Sequence, residues 1–396
     1  MVFFRNIDMN YDLNIFMILS HCMIRLDEKK FTKKRFRNLT KIIYIFPIFY
    51  FPILIFPLSF QYFIPKINTN IFTFKYSQGQ VSIGKRVLRT LSTNCVLCNI
   101  SKRDNTIYSS SRDLILTATS IDRPGLFYLL RSIRSIGCLA TIIILTNNPS
   151  FKIPEAFSCG AQIYLIKTPT SRDLASVYKS RWEWYYEFLN LTWVQSSFDR
   201  IMHLDAFDTI FFSDPFSIFD KKYHQKMNKN KKKNIYLYKN KNGDSKNEIY
   251  FQSEEIHIKL CPYNRKWVKC HSSEKFQIIR NEYVLCSGSL IGHIKPFTTM
   301  IELMVTSEEW PACWGRGFDQ GIFNIVFYTS FQSLNFNFSV YHMCCSSGFI
   351  TMNYCSIDKT LQSLKESNPI FLHQYNRYIN VTNYVQDICP ENYSDI

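Results

Sequence analysis

Apolar residues in the middle of the chain alternate between short unbroken runs and a spacing of three and four, with turn residues at each change. Leu114-Ile115-Leu116-Thr117-Ala118 is one such run and reads as a buried strand, after which Asp122 and Pro124 signal a helix start. Leu126, Leu129, Leu130, Ile133 and Ile136 then fall on one helical face, and Gly137 marks the stop. Thr141 to Leu145 is a second apolar strand of β-branched character, closed by Asn147-Asn148-Pro149. Strand, helix and strand in so short a stretch make a βαβ unit. A short strand follows at Ile163 to Ile166, then a helix from about Arg172 to Leu189, and then a strand at Ile201-Met202-His203-Leu204. The alternation predicts an α/β fold: an open, mixed but mainly parallel sheet flanked by helices, with its ligand beyond the carboxyl ends of the strands.

Two segments break this pattern in opposite ways. Ile42 to Ile64 carries no charge, and at ~1.5 Å per residue it would span a hydrocarbon core of ~30 Å as one transmembrane helix. Pro47, Pro52 and Pro57 each remove a helix hydrogen bond, which membrane helices tolerate better than soluble ones; a buried core segment or a long signal peptide is the other reading. No small-residue cleavage site follows at Tyr62, Phe63 or Ile64, which favours an uncleaved anchor. Lys29, Lys30, Lys33, Lys34, Arg35, Arg37 and Lys41 precede it and Lys66 stands almost alone after it, so the positive-inside rule gives a type II orientation. The expected order is a cytosolic basic tail over 1–41, the anchor over 42–64, a luminal stem over 65–111 and the α/β domain over 112–396. The second break holds ten lysines between Lys221 and Lys246, opposed by Asp244 alone. So polar a stretch buries too little surface to offset its ordering entropy, and the expectation is a disordered surface insertion over 221–247.

Composition narrows the classes. With 46% hydrophobic, 16% aromatic and 20% charged residues, the chain is neither wholly disordered nor collagen-like. A net charge of +16 would suggest nucleic acid if it covered a folded face. Much of it sits instead in the insertion and tail, with no aromatic side chain interleaved from Lys226 to Lys233, so nucleic acid is not an expected partner. Twelve of the thirteen cysteines follow the anchor, an even number that an oxidising compartment could pair. Cys95 and Cys98 form a C-x-x-C that reads as disulfide material, or as a zinc or redox site, although no second pair stands at zinc spacing. Glycosylation sequons at Asn99, Asn190, Asn337, Asn380 and Asn392 agree with a luminal domain.

The chemistry-bearing segment follows the strand at 201–204: His203-Leu204-Asp205-Ala206-Phe207-Asp208-Thr209-Ile210-Phe211-Phe212-Ser213-Asp214-Pro215-Phe216. Two carboxylates three positions apart at a strand end, Asp205 and Asp208, can jointly hold a hard divalent cation with positions left for phosphate oxygens; alternatively they are turn residues.

This segment resembles the Asp-x-Asp metal loop of glycosyltransferases with the GT-A fold. It is similar to a eukaryotic group that shows Asp-x-Arg-Asp, an apolar run and Asp-Pro-Phe, followed by Ser-Gly, Asp-Gln and His-Gln-Tyr-Asp-Arg segments. Their counterparts here are Cys286-Ser287-Gly288-Ser289, Asp319-Gln320-Gly321-Ile322-Phe323-Asn324 and His373-Gln374-Tyr375-Asn376-Arg377, so the likeness covers about Asp113 to Arg377. The resemblance implies a Rossmann-like GT-A domain that takes a nucleotide-diphosphate sugar as donor and a glycan or glycoconjugate as acceptor, on a single-pass Golgi membrane protein. It implies that Asp205 and Asp208 bind Mn²⁺ or Mg²⁺ with the donor diphosphate, and that His373 completes the metal shell. Thr119 would lie near the nucleotide base, Arg181 would approach the diphosphate, and Gly288 would let the backbone close on the sugar. Asp319 would orient or deprotonate the attacking hydroxyl. Each has a plainer reading: Arg181 as a snorkelling helix residue, Asp319 as a helix N-cap, His373 as a structural histidine.

The chain also departs from that pattern. Two residues separate the carboxylates rather than one, Phe207 stands where the group has Arg, Cys286 replaces Asn, and Asn376 replaces Asp. These changes bear on sugar and acceptor specificity more than on metal binding. Two other functions fit the same residues: a non-catalytic binding protein that keeps the fold, or a metal-dependent phosphoester hydrolase, which no His-rich second metal site accompanies.

Overall fold

The computed structural model describes residues 95–101, 106–121, 123–151, 154–166, 174–220, 235–238, 247–313, 318–342, 349–351, 356–366 and 369–389. The basic tail, the expected anchor over 42–64 and most of the stem lie outside them, as does most of the lysine-rich insertion. Among the described residues no helix is long and apolar enough to cross a membrane.

The first half follows the expected order: β1 (Asp113–Ala118), α1 (Pro124–Ser135), β2 (Thr141–Thr146), α2 (Pro154–Ser158), β3 (Ala161–Leu165), α3 (Leu174–Leu189), α4 (Thr192–Ser197) and β4 (Arg200–Leu204). Pro124 opens α1 from Arg123 as cap residue, and Gly137, at φ +78°, takes the left-handed conformation that lets the chain leave the helix. The second half adds β5 (Thr209–Phe211), β6 (Ile235–Tyr238), β7 (Glu248–His257), α5 (Pro262–His271), α6 (Ser273–Ile279), β8 (Tyr283–His293), α7 (Ile294–Thr306), α8 (Phe318–Thr329), β9 (Asn337–His342), β10 (Phe349–Thr351), α9 (Ile357–Glu366), β11 (Phe371–His373) and α10 (Ile379–Ile388).

Eight strands form one mixed sheet in the order β3-β2-β1-β4-β8-β7-β9-β6. β3, β2, β1 and β4 are parallel, β8 runs against both β4 and β7, β7 and β9 are parallel, and β6 is antiparallel at the edge. Both faces are covered, which is why the central strands read as unbroken apolar runs. Leu114, Leu116, Ile143, Leu145 and Ile201 pack with Trp182, Tyr185 and Phe188 of α3 and with Phe297, Met300 and Ile301 of α7. Ile115, Ile142, Ile144, Met202 and Leu204 alternate onto the other face, against Leu126, Leu129, Leu130 and Ile133 of α1. Each such side chain, fully buried, contributes ~1.5–3 kcal/mol.

Two departures from the sequence reading have physical causes. Ile235–Tyr238 inside the lysine-rich insertion is strand β6, because that tetrad is apolar and aromatic and pairs with the edge of β9. Part of the segment read as stem is fastened to the domain: Cys95 is bonded to Cys159 and Cys98 to Cys389, so the C-x-x-C pair joins two distant partners rather than closing on itself. The amides of Tyr108 and Ser109 and the Ser109 hydroxyl all donate to Oδ2 of Asp214, at 3.1, 2.9 and 2.6 Å. A third disulfide, Cys270–Cys313, ties α5 to the segment ahead of α8.

A second sheet sets up the functional site. It has three short strands in the order β10-β11-β5, with β11 antiparallel to β5 and His373 directly opposite Thr209.

Candidate metal centre

β4 ends at Leu204, and the amide of Asp205 donates to the Gly288 carbonyl at 2.9 Å, so the first carboxylate is launched from the middle of the main sheet. Asp208 follows three residues later, the chain enters β5 at Thr209, and the small sheet brings His373 beside it. The Gln374 amide donates to the Asp208 carbonyl at 2.6 Å, from a left-handed φ of +62°. Nε2 of His373 consequently lies 3.3 Å from Oδ2 of Asp205 and 3.4 Å from Oδ1 of Asp208. One ligand atom from each of the three residues falls within 4.8 Å of the others. The imidazole is buried, at 1% exposure, while the carboxylates keep 28% and 22%.

Strand β8 is the wall of this site. Its alternation turns Cys286 and Gly288 toward His373 and Ser287 the other way. A Cβ on Gly288 would stand 2.5 Å from Cε1 of His373 and 2.7 Å from Oδ2 of Asp205, so only glycine leaves the meeting place of these groups open. Ser287 accepts at its carbonyl from Nε2 of His203 at 3.1 Å, and its amide donates to Oε1 of Gln320 at 3.3 Å.

Arg181 reaches in from α3. Its Nη1 donates to Oδ1 of Asp205 and its Nη2 to Oδ2 of Asp319, and Trp182 Nε1 donates to that same Asp319 oxygen at 3.0 Å. Asp319 lies in the first turn of α8, 2% exposed, with its carboxylate facing Arg181. The N-cap reading is therefore corrected: the side chain is one half of a buried ion pair. The snorkelling reading of Arg181 also fails, because the guanidinium points inward and is 9% exposed.

The charges respond to one another. Burial opposes the Arg181 cation, but Asp319 and Asp205 more than offset it and hold its pKa up. Burial pushes the Asp205 carboxyl up, and Arg181 and His373 pull it further down, below the usual carboxylate range. Burial likewise opposes a charged His373, and Asp208 and Asp205 reverse this, raising its pKa well above the ordinary value.

His203 behaves in the opposite way: burial, then the nearby Arg181, press it down to about 3. In the unfolded chain it titrates near 6.5, so below that pH only the unfolded state takes up the proton. Its contribution is full above ~6.5 and drains away as pH falls toward ~3, at up to ~1.4 kcal/mol per pH unit. His373, with its raised pKa, contributes fully below ~6.5 and loses that contribution as pH rises. Unfolding in denaturant and EDTA should therefore show greatest stability near pH 6.5, and His203→Gln should flatten the acid limb; an unchanged acid limb in the variant would refute the assignment.

Thr119 stands at the carboxyl end of β1, where a nucleotide base was expected. Its hydroxyl is engaged within its own turn, donating to the Ile121 carbonyl at 2.7 Å and accepting from the Ile121 amide at 3.1 Å. Sequence reasoning missed Gly125: a Cβ there would sit 1.9 Å from the Phe207 carbonyl oxygen, so the first turn of α1 rests directly on the backbone between Asp205 and Asp208. The Pro-Gly at the helix start was its available signal. Trp182, and Ser287 and Gln320 within the quoted segments, were given no individual role, since their contacts join residues far apart in sequence.

Two carboxylate oxygens and one imidazole nitrogen suit Mn²⁺ or Mg²⁺, and the gap kept clear by Gly288 gives them a common centre. No protein-family model matches this chain, and no curated protein is significantly similar to it.

Proposed function

We propose that this protein is a metal-assisted glycosyltransferase. It would move a sugar from a nucleotide-diphosphate sugar to a glycan, glycoprotein or glycolipid, as a single-pass type II protein of the Golgi membrane with its GT-A-like domain in the lumen. The observation that carries the reading is the convergence of Asp205, Asp208 and His373 at the carboxyl end of β4, with Arg181 alongside. Asp205, Asp208 and His373 would hold the cation. A bound Mn²⁺ or Mg²⁺ neutralises the charge that develops on a departing diphosphate.

The chain's own residues divide the remaining work. Arg181 presents a planar guanidinium beside Asp205, suited to phosphate oxygens. Asp319, with Oδ2 taken up by Arg181 and Trp182, fixes that guanidinium in place; this replaces the expected role as a base for the acceptor. Gly288 would allow close approach of the donor sugar, and Thr119, at the carboxyl end of β1, would lie near the base. Three disulfides, and exposed sequon residues at Asn99, Asn190 and Asn380, support an oxidising luminal compartment.

A panel of nucleotide sugars tests this, with hydrolysis and transfer measured with Mn²⁺ and with EDTA. Metal-dependent turnover of one donor supports the proposal. Turnover indifferent to EDTA removes the mechanism, donor binding in calorimetry without product points to a non-catalytic binder, and cleavage of simple phosphate esters alone points to a hydrolase.

A further inference from the structure

Cys286 is a free thiol buried in β8, 3% exposed, and its sulfur lies 3.9 Å from Nδ1 of His373. His373 turns its other nitrogen, Nε2, on Asp205 and Asp208. An imidazole nitrogen binds a metal through its lone pair, and which nitrogen keeps that lone pair depends on where the other donates its proton. Among the described residues, the Cys286 sulfur is the hydrogen-bond partner that Nδ1 has. Strand alternation makes a two-part cradle: Gly288 leaves room beneath Cε1, and Cys286, two positions back on the same face, receives the ring's far edge.

We infer that Cys286 is a positioning residue of the metal centre: its sulfur accepts the Nδ1 proton of His373 and so holds the ring with Nε2 aimed between Asp205 and Asp208. The inference rests on the metal reading above. Outer partners of metal-binding histidines are typically worth ~10–100-fold in affinity, and thiol sulfur is a weak acceptor, so an effect of about 10-fold is expected.

The test is Mn²⁺ binding to the full chain by calorimetry, without nucleotide. Cys286→Ala, or Cys286→Val if the smaller side chain prevents folding, should weaken binding about 10-fold. Cys286→Ser, whose hydroxyl accepts the same proton, should restore it. In a His373→Ala background the same Cys286 change should add nothing, because two residues acting through one interaction are not additive. A second readout needs no metal: the Nδ1 proton of His373 should be a slowly exchanging NMR resonance in the native chain and in Cys286→Ser, and exchange fast in Cys286→Ala or Cys286→Val. An unaltered His373 proton in those two variants overturns the inference, as does an equal loss of Mn²⁺ affinity in both backgrounds. A native chain that binds no Mn²⁺ would instead sink the metal reading, leaving the proton readout to decide the role of Cys286.

Discussion

Replacing Asp208 by Asn should, on the proposed function, reduce metal-dependent sugar transfer by at least ~10³-fold, equivalent to ~4 kcal/mol of transition-state stabilisation. The carboxylate faces His373, at 3.4 Å, and is 22% exposed, so the substitution keeps volume and removes one charge from the proposed cation site. Asp205 and His373 remain, but a single carboxylate, half neutralised by Arg181, cannot compensate a divalent ion as two can. Mn²⁺ calorimetry and product formation should both register the loss. Native affinity and native turnover in the variant would dismiss these residues as the metal site.

Arg181→Met should cost more in stability than any surface change, because it strands Asp319 at 2% exposure with Trp182 as its strongest remaining donor. Breaking a buried pair from one side costs ~3–5 kcal/mol, which lowers the melting temperature by roughly 6–20 °C. Removing both partners, as Arg181→Met with Asp319→Leu, should recover most of that loss, since the uncompensated charge goes with its cation. Neither the single nor the double variant should bind a nucleoside diphosphate at native affinity. Calorimetric scanning and diphosphate titration separate the two effects; a double variant no more stable than Arg181→Met would show that Asp319 is not the buried partner that matters.

How much was legible in the sequence follows from the range of the interactions involved. β1, α1, β2 and β4 are written in local spacing, because a strand covered on both faces is apolar throughout and a helix covered on one shows a three-four repeat. Asp205 and Asp208 could be found because a strand end and two carboxylates are neighbours in the chain. That Arg181 would meet Asp319 across 138 positions could not be read from local spacing, and Asp319 at a helix start looked like a cap. The partners of Cys95 and Cys98 were equally hidden, since spacing alone does not give connectivity. β6 was obscured for a different reason: the average over a lysine-rich stretch concealed four residues with strand character.

The bond between Cys98 and Cys389 closes a ring across a sequence separation of 291 positions, enclosing nearly all of the described domain. In the chain-entropy account a closure of that length takes roughly 5–6 kcal/mol of freedom from the unfolded chain. A protease that nicks a loop inside the ring would therefore leave one covalently joined molecule, whose fragments separate only after a reductant has opened the clasp.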